Sequence, residues 1–566
     1  MKTIDSYRRP SLRAILLCCV VAAVALAADL WFSAQEGYLA RPPDYDGVGY
    51  LFYAQAPYHL IAGLHLKTAL HALNNVAPGW TAVLTAHYLV LGDGTWQAFA
   101  ARFWPIALLL VLVYWIVRRR ANRTLAIAAV ALTALLPLVS AGVRSSSWEF
   151  LSGQANYNDN WGLDDLRPDF LAVVLVLWAV ALLAELADSP RWPSYLLSAA
   201  FAAAAVLMKP STGPVALVTW FAALAVIWFW NRRTPGVGRT TALAVGFLAL
   251  LLLPWAVLGH GISTTVTYFY EAAVTYKGAY AMNLGLFESA TYYLVRIPSQ
   301  LGQLEAWPVI VGALVAAVAL VRRRLGRAEW IYAGLVVLFY GAFTATSNKN
   351  PHVGEWLSLA VWIFFVAGAS RLAAARWPLA LPRFSQRLLA VVGVYVVIVY
   401  ALGAFSLFSW PLDEHRANVE LLSVTSGVAA ELNRHVSAGQ CFSYAPGPGW
   451  PASLELLMIN SDGTSPQSTP IDVDPASTTG DYIATASRCP AIVVYREDVT
   501  QVAQVFFCPP VRQPYLRALA SWVRSPGSGY VYDRSWQFSD LPPAGPHTLG
   551  KYKGVSLTVD LYLRGS

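Results

Sequence analysis

The sequence predicts a polytopic α-helical membrane protein that carries a mixed α/β domain in its C-terminal part. Of its 566 residues, 57% are hydrophobic and only 13% are charged, whereas soluble domains carry about 25% charged residues. Apolar runs of about 20 residues recur along the chain, which is the length a helix needs to cross a bilayer. Tryptophan (22 residues) and tyrosine (28 residues) are abundant, as expected for side chains at the depth of the lipid headgroups.

Eleven apolar spans are predicted, and the charges between them set their orientation. Five segments on one side are short and rich in arginine, such as RRRANR at 118–123, while the segments on the other side are longer, aromatic and acidic. The positive-inside rule therefore places the N-terminus in the cytoplasm, and eleven spans put the C-terminal domain outside. We expect a bacterial inner membrane, with this domain in the periplasm. The predicted spans cover about 12–32, 97–117, 124–141, 169–187, 193–210, 213–230, 240–260, 306–321, 329–346, 355–370 and 388–409.

The net charge of +8 does not indicate a nucleic-acid partner, because the arginines form short clusters between apolar runs. The first span has two interpretations. ALAAD at 25–29 is typical of a signal-peptide cleavage site, but the apolar run continues through Leu30, Trp31 and Phe32. We expect a retained anchor.

The composition changes near residue 410, which divides the chain into a membrane domain (1–409) and an extracytoplasmic domain (410–566). The second part opens with a helical pattern around Val419–Val436 and contains strand-like runs such as AIVVYRE at 491–497 and VSLTVDLYL at 555–563. Cys441, Cys489 and Cys508 all lie there. We expect one disulfide in an oxidising compartment, without a preferred pair.

The first outer loop, 33–96, contains the stretch RPPDYDGVGYLFYAQ at 41–55, with carboxylates at Asp44 and Asp46. Residues 48–73 predict one or two amphipathic helices in the membrane interface, with apolar and aromatic side chains at Tyr50, Leu51, Tyr53, Leu60, Leu64 and Leu70. His59, His65 and His71 do not share a helical face, so they do not predict a zinc site. The two aspartates either solubilise a turn or meet a lipid-linked substrate at headgroup depth.

Further polar groups gather where outer segments meet the spans. NYNDNWGLDDLRPDF at 156–170 carries Asp164, Asp165 and Arg167, and its Pro168 and Asp169 suit the start of a helix. Lys209, in LMKPSTGP, ends an apolar span; it either snorkels to the interface or binds a lipid phosphate. The third outer segment contains Lys277 and Arg296 among tyrosines, which suits a sugar phosphate or an aromatic belt. Lys349, His352 and Glu355 crowd a very short loop, which favours a site.

The order of these motifs resembles the GT-C superfamily of polyprenyl-phosphate-dependent glycosyltransferases, in the branch of protein O-mannosyltransferases and lipid A aminoarabinose transferases. Asp46 and Tyr50 match that family's acidic loop motif, while Gly47 stands where a second acid is usual. LMKPSTGP, LRPDF, SNKNPH at 347–352 and LVLGDGTWQAFAARFWPIALLL at 89–110 resemble further family segments. The resemblance covers roughly residues 10–410 and implies a GT-C-like membrane domain.

The resemblance also implies an activity: inverting transfer of a sugar from a polyprenyl phosphate to a hydroxyl of a glycan, glycolipid or protein. Asp46 is the expected general base, with Asp44 as the alternative. The leaving phosphate needs nearby cations, and the candidates are Lys209, Arg296, Lys349 and His352, with Lys277 behind them. Tyr50, Asp164, Asp165 and Arg167 are further candidate substrate-binding residues. Asp44, Asp164 or Asp165 could bind a divalent metal, although no spacing demands one.

Two other functions compete with this one. A transporter or flippase for a lipid-linked saccharide would place ionisable groups near the bilayer midplane. The predicted spans are nearly free of charge there, with Glu185 toward an inner end, so chemistry at the membrane surface is favoured. An O-antigen ligase or polymerase would share substrate and membrane but would not explain the acidic first loop. Membrane lipid is an expected partner in every case.

Overall fold

The structure is a computed structural model. It describes residues 10–35, 37, 39, 46–74, 77–140, 143, 166–185, 192–258, 261–270, 284–346, 349, 353–376, 380–409, 411–444, 457–458, 466–468, 478–500, 513–538 and 556–565.

Helices occupy all eleven predicted spans. The seventh predicted span runs through a helix and a following π turn, Pro254–Leu258, and the third ends early, because the chain turns after Ala134. The helices of these spans are α1 (Leu12–Gln35), α6 (Phe103–Arg120), α7 (Arg123–Ala134), α8 (Asp169–Glu185), α9 (Trp192–Met208), α10 (Gly213–Asn231), α11 (Val237–Leu253), α15 (Ala306–Val321), α16 (Arg327–Thr344), α17 (Gly354–Arg376) and α18 (Leu381–Ser409).

Among the described residues, six segments are long and apolar enough to cross a membrane: Leu12–Gln35, Thr95–Arg120, Pro210–Asn231, Val237–Val257, Gly354–Arg376 and Leu381–Ser406. Three apolar helices are shorter: Arg123–Ala134, Trp192–Met208 and Ala306–Val321. The fold class predicted from the sequence, a multi-pass helical membrane protein, is therefore confirmed.

Short helices connect the long ones on one side of the bundle. The predicted interfacial stretch forms two of them, α2 (Asp46–Ala62) and α3 (Leu66–Ala72), and the turn between them holds Leu64 at a left-handed φ of 61°. Leu64 and Leu70 are exposed, as an interfacial position requires, but Leu51 is buried. The other short helices are α4 (Pro78–Leu91), α5 (Thr95–Phe99), α12 (Gly261–Tyr270), α13 (Leu286–Thr291) and α14 (Ile297–Leu301).

One end of the bundle, which we call the basic end, is joined by a buried ion-pair network. Arg120 of α6 contacts Glu185 at the end of α8 (2.7 Å) and Glu329 in the first turn of α16 (2.8 Å). Glu185 also accepts a hydrogen bond from the hydroxyl of Tyr332 (2.8 Å) and contacts Arg119 (3.2 Å). Glu329 also accepts from the backbone N–H of Gly326 (2.8 Å) and contacts Arg371 of α17 at 3.5 Å. Four helices are thus fixed relative to one another.

The opposite end, which we call the Lys209 end, holds the start of α8 and the end of α9. Asp169 is the first residue of α8, and Lys209 directly follows α9. Pro210 opens a 3₁₀ turn, Pro210–Thr212, before α10 begins. Proline has no N–H to continue a helix, so α9 ends here and the lysine stands at the break.

The C-terminal part folds around a five-stranded mixed sheet. Its strands are β1 (Cys441–Tyr444), β2 (Gln467–Ser468), β3 (Ala491–Tyr495), β4 (Tyr530–Phe538) and β5 (Leu557–Arg564), in the spatial order β2-β1-β3-β5-β4. Strands β2, β1 and β3 are parallel, while β5 runs antiparallel to both its neighbours. Its helices are α19 (Pro411–His435), α20 (Thr479–Ala486) and α21 (Gln513–Val523).

The two faces of this sheet are covered by different helices. Val428 and Leu432 of α19 pack with Phe442 and Val493 on one face, and Leu516 of α21 packs with Ile492 on the other. A disulfide joins Cys441 to Cys489, which resolves the pairing that the sequence left open; Cys508 lies outside the described residues. The predicted mixed α/β architecture of this part is confirmed.

Candidate functional site

The candidate site lies at the Lys209 end, where a lysine and an aspartate form a buried ion pair. The Nζ atom of Lys209 donates a hydrogen bond to Oδ2 of Asp169. The side chain of Asp169 is 4% exposed and that of Lys209 is 15% exposed. A carboxylate buried to this degree needs a partner, and Lys209 supplies the opposite charge.

Asp169 occupies the predicted position at the start of α8, but its contact with Lys209 was missed by the sequence analysis. The two residues are 40 positions apart, so no local pattern links them. The available signal was topological: the eleven-span arrangement puts the start of one span and the end of the next at the same membrane face. An acid and a lysine at those two points are candidates for a pair.

Tyr50 and Arg167 complete the cluster. Both lie close enough to Lys209 to interact electrostatically with its ammonium group. Tyr50 belongs to α2, whose first residue is Asp46. Asp46 therefore begins the helix one turn before Tyr50.

Helix α4 holds the three parts of this cluster together. The indole N–H of Trp80, a buried side chain, donates to the carbonyl of Leu166 (2.9 Å) and so anchors the segment that leads into Arg167 and Asp169. The hydroxyl of Thr85 donates to the carbonyl of Ala54 (3.2 Å), which ties α4 to α2. Helix α4 therefore contacts both the segment before α8 and the helix that begins at Asp46.

The third contact of α4 depends on a glycine. A Cβ atom at Gly79 would lie 3.0 Å from the carbonyl carbon and oxygen of Leu207, near the end of α9. A side chain here would make a tighter contact than most real Cβ atoms do, so the two backbones would have to separate by a few tenths of an ångström. Gly79 thus lets the start of α4 lie against the turn that presents Lys209.

Arg296 and Lys349 form a second cluster, near the end of α16. The ammonium of Lys349 donates to the carbonyls of Phe343 (3.3 Å) and Thr344 (2.6 Å), and burial lowers its pKa. The guanidinium of Arg296 stacks 3.7 Å from the ring centroid of Tyr292, whose hydroxyl donates to the carbonyl of Lys349 (3.3 Å). The two hydrogen bonds of the Lys349 ammonium therefore stabilise the C-terminal end of α16.

Several predicted site residues lie outside the described residues: Asp44, Asp164, Asp165, Lys277 and His352. For Asp46 the structure describes the backbone at the start of α2. In the described ranges, no group of three or more His, Cys, Asp or Glu side chains could hold a metal ion. The metal prediction concerned Asp44, Asp164 and Asp165 and stays a prediction.

A second buried charge was also missed by the sequence analysis. Asp29, in the last turns of α1, lies 4.0 Å from Arg102, which also donates to the carbonyl of Leu138 (3.3 Å). Both side chains are less than 10% exposed. The acid lies near the C-terminal end of an apolar run whose average conceals it, so Asp29 is one exception in spans that are otherwise nearly free of charge.

The cluster around Lys209 has the chemistry of an anion-binding site. Among the described side chains it contains an ammonium, a guanidinium and one carboxylate, so these three groups together carry a net positive charge. Hydrogen bonds from such cations to phosphate are shorter and about twice as strong as neutral ones. A phosphate at the Lys209 end would be the fitting ligand.

Comparison with solved structures finds proteins of similar fold. The crystal structure of ArnT, a lipid A aminoarabinose transferase, from Cupriavidus metallidurans in the apo state superposes with a TM-score of 0.55 at 14% identity, covering 86% of this chain and 93% of that chain. The same enzyme bound to undecaprenyl phosphate gives a TM-score of 0.51 at 13% identity, with the same coverage.

An oligosaccharyltransferase of Archaeoglobus fulgidus, tethered to an acceptor peptide, gives a TM-score of 0.48 at 11% identity over 91% of this chain and 72% of that one, a similarity too low to carry an argument. No protein-family model matches the chain, and comparison with curated proteins finds no match. The likeness to ArnT confirms the predicted GT-C-like fold.

Proposed function

We propose that this protein is a membrane glycosyltransferase that uses a polyprenyl-phosphate-linked sugar as its donor. One observation carries the proposal: helix α4 contacts α2, the segment before α8 and the break after α9, beside a buried lysine. These are the segments in which the sequence matches the acidic, LRPDF and LMKPSTGP motifs of the GT-C superfamily. We take these three motifs, which lie far apart in sequence, as parts of one site.

The fold supports the same substrate class. The ArnT structures share this fold along most of both chains, and one of them holds undecaprenyl phosphate. A polyprenyl phosphate offers an anionic headgroup and a long apolar tail. The cluster around Lys209 suits the first, and a bundle of apolar helices suits the second.

In the proposed reaction Asp46 acts as general base. It takes the proton of an acceptor hydroxyl as that oxygen attacks the anomeric carbon of the sugar. The new C–O bond forms, the bond from the anomeric carbon to the phosphate oxygen breaks, and the configuration at the anomeric carbon inverts. General-base catalysis contributes about 10²–10⁴-fold. Asp44 is the alternative base, because Gly47 departs from the family pattern.

Polyprenyl phosphate leaves with the electron pair of the broken bond, and its charge needs cations. Lys209, held by Asp169, and Arg167 are the proposed ligands, with Tyr50 beside them. Arg296, Lys349, His352 and Lys277 remain candidates for a second contact to the donor. The contacts of Lys349 with helix carbonyls favour Lys209 over it.

The orientation follows from the same proposal. The basic end faces the cytoplasm of a bacterial inner membrane, and the Lys209 end and the C-terminal domain (410–566) face the periplasm. The acceptor is a hydroxyl of a glycan, glycolipid or protein of the cell envelope. A divalent metal bound by Asp44, Asp164 or Asp165 would add charge at the phosphate; loss of activity on chelation, restored by Mg²⁺ or Mn²⁺, would support it.

The test compares aspartate variants in a deletion strain. Asp46→Asn should abolish the sugar-modified envelope product, measured by mass spectrometry of extracted glycolipids and glycoproteins, while membrane expression and melting temperature stay at wild-type values. Asp93→Asn is the matched control. Asp93 is also a carboxylate of the first outer loop, but its neighbour is His59, at 3.9 Å, and it has no role in the proposed reaction.

Three results would change the proposal. Loss of product in Asp44→Asn but not in Asp46→Asn would move the base to Asp44. Full product in both variants would overturn the mechanism. If the deletion strain shows no change in any envelope glycan, the proposed activity itself is wrong.

A further inference from the structure

A narrow groove lies between α8, α10 and α16 and runs toward the basic end. Its volume is about 310 Å³, and its walls are almost entirely apolar, with Val180, Val226 and Leu338 among them. The one hydroxyl in the wall, that of Thr219, donates to the carbonyl of Val215 at 2.7 Å. The wall therefore offers no unsatisfied side-chain hydroxyl, and the groove suits a hydrocarbon chain.

The groove has the depth of about one leaflet. Along α10 it extends from Thr219 to Trp230, and eleven residues of helix rise about 16 Å. The hydrocarbon core of a bilayer is about 30 Å thick. Gly334 forms part of the wall, and a Cβ atom at that position would meet nothing within 4 Å. The chain thus leaves open space where a larger residue would fill the groove.

Cations and indole rings surround the end of the groove at the basic end. The guanidinium of Arg327, the first residue of α16, lies 5.6 Å from the ring centroid of Trp230. Arg232, directly after α10, lies over Phe229 at 4.5 Å. Trp330 is 47% exposed beside the groove. Tryptophan favours the headgroup depth, and basic pockets between helices bind anionic lipid headgroups.

We propose that this groove binds an acyl chain of an anionic phospholipid from the leaflet at the basic end, with the lipid phosphate on Arg327 and Arg232. This site is separate from the proposed donor site, because the cations around Lys209 lie at the other end of the same helices. The lipid would fill the space between α10 and α16 and hold the two helices together. A ligand that binds only the folded state raises the melting temperature with its concentration.

The experiment titrates the full-length, detergent-purified protein with dioleoylphosphatidylglycerol and, separately, with dioleoylphosphatidylcholine. We expect the anionic lipid to raise the melting temperature by several degrees and to remain bound in native mass spectrometry, while the zwitterionic lipid does neither. Gly334→Leu, which fills the groove, should remove the shift. Gly341→Leu is its control, because Gly341 is two turns farther along α16, also has open space at Cβ, and does not line the groove.

Arg327→Gln keeps the groove open and tests the headgroup contact independently of packing. The Arg327→Gln variant should need about ten times more phosphatidylglycerol for the same rise in melting temperature. Arg324→Gln, which changes an exposed arginine of the same connector, should need no more than the wild type. An unchanged response in both Gly334→Leu and Arg327→Gln would overturn the proposal. A second result would also overturn it. If Gly334→Leu loses the melting-temperature shift caused by undecaprenyl phosphate but keeps the shift caused by phosphatidylglycerol, the groove binds the tail of the donor.

Discussion

The two ends of the helix bundle both bury charge, but they surround it differently. At the basic end, Arg120 binds two glutamates, and each glutamate has further donors: Tyr332 and Arg119 for Glu185, the N–H of Gly326 and Arg371 for Glu329. At the Lys209 end, the Nζ atom of Lys209 has one acceptor within the described residues, Oδ2 of Asp169.

The difference separates a structural role from a binding role. A buried network in which every carboxylate has several partners is satisfied, and it has little capacity left for a ligand. An ammonium has three N–H donors, so the ammonium of Lys209 has donors beyond its bond to Asp169. Remaining hydrogen-bond capacity, rather than burial of charge itself, thus distinguishes the candidate site from the network at the basic end.

The largest expected effect on stability comes from breaking the network at its centre. Arg120→Met leaves Glu185 and Glu329 buried without their main counter-charge, and removing one partner of a buried pair costs about 3–5 kcal/mol. Thermal unfolding in detergent measures this loss. Arg118→Met is the control, because Arg118 contacts only the carbonyl of Ala121 among the described residues. Equal melting temperatures for both variants would contradict a structural role for the network.

The second prediction concerns activity at the other end. The double variant Lys209→Gln/Asp169→Asn removes both charges together, so no buried charge is left unpaired and the fold should remain intact. Sugar transfer should fall about 10²-fold or more, as when one donor to a developing oxyanion is removed. Lys209→Arg keeps a cation beside Asp169 and should retain part of the activity. A double variant with wild-type transfer would exclude Lys209 from the phosphate site.

A smaller effect is expected at Tyr50. Tyr50→Phe removes only the hydroxyl near Lys209, and a typical hydrogen bond contributes about 1 kcal/mol, so transfer should fall about fivefold. The melting temperature should not change, because the ring remains. Tyr53→Phe is the control, because it removes the hydroxyl of another tyrosine one turn later on α2. If the two variants behave alike, the face of α2 that carries Tyr50 has no special role.

The smallest effect is expected at the rim of the basic end. The side chain of Arg371 is 47% exposed and lies 3.5 Å from Glu329, so Arg371→Gln should cost less than about 1 kcal/mol, as for exposed ion pairs. Glu329 keeps Arg120 and the N–H of Gly326. A loss as large as that of Arg120→Met would show that the network depends equally on every member.

The helices of the predicted spans could be predicted from the sequence because each is a continuous apolar run, and most of them end at an arginine-rich connector. The order of the strands in the C-terminal part could not be predicted, because β5 pairs with β3 across more than 60 residues. Local patterns report whether a segment forms a helix or a strand. They do not report which distant segment becomes its neighbour.

The candidate site was predictable residue by residue but not pair by pair. Lys209 and Arg167 were singled out at span boundaries and Tyr50 in the first outer loop, and the structure brings the three together. The Asp169 partner was missed because helix-start chemistry explains an aspartate equally well. Lys349 was predicted as a ligand residue because it lies in a short loop dense in polar groups, and its contacts with the carbonyls of Phe343 and Thr344 now separate it from Lys209.

The place of β5 in the C-terminal sheet has a consequence for biosynthesis. Strand β5 follows every other strand in sequence, yet it lies between β3 and β4. As the chain leaves the ribosome, β4 has no neighbour and β3 has one open edge until β5 is made. The disulfide joins Cys441 and Cys489, both synthesised earlier, so the parallel half of the sheet can be covalently closed first. Among the described strands, the parallel half of the sheet and β4 are therefore joined only through the last strand in sequence, which has eight residues.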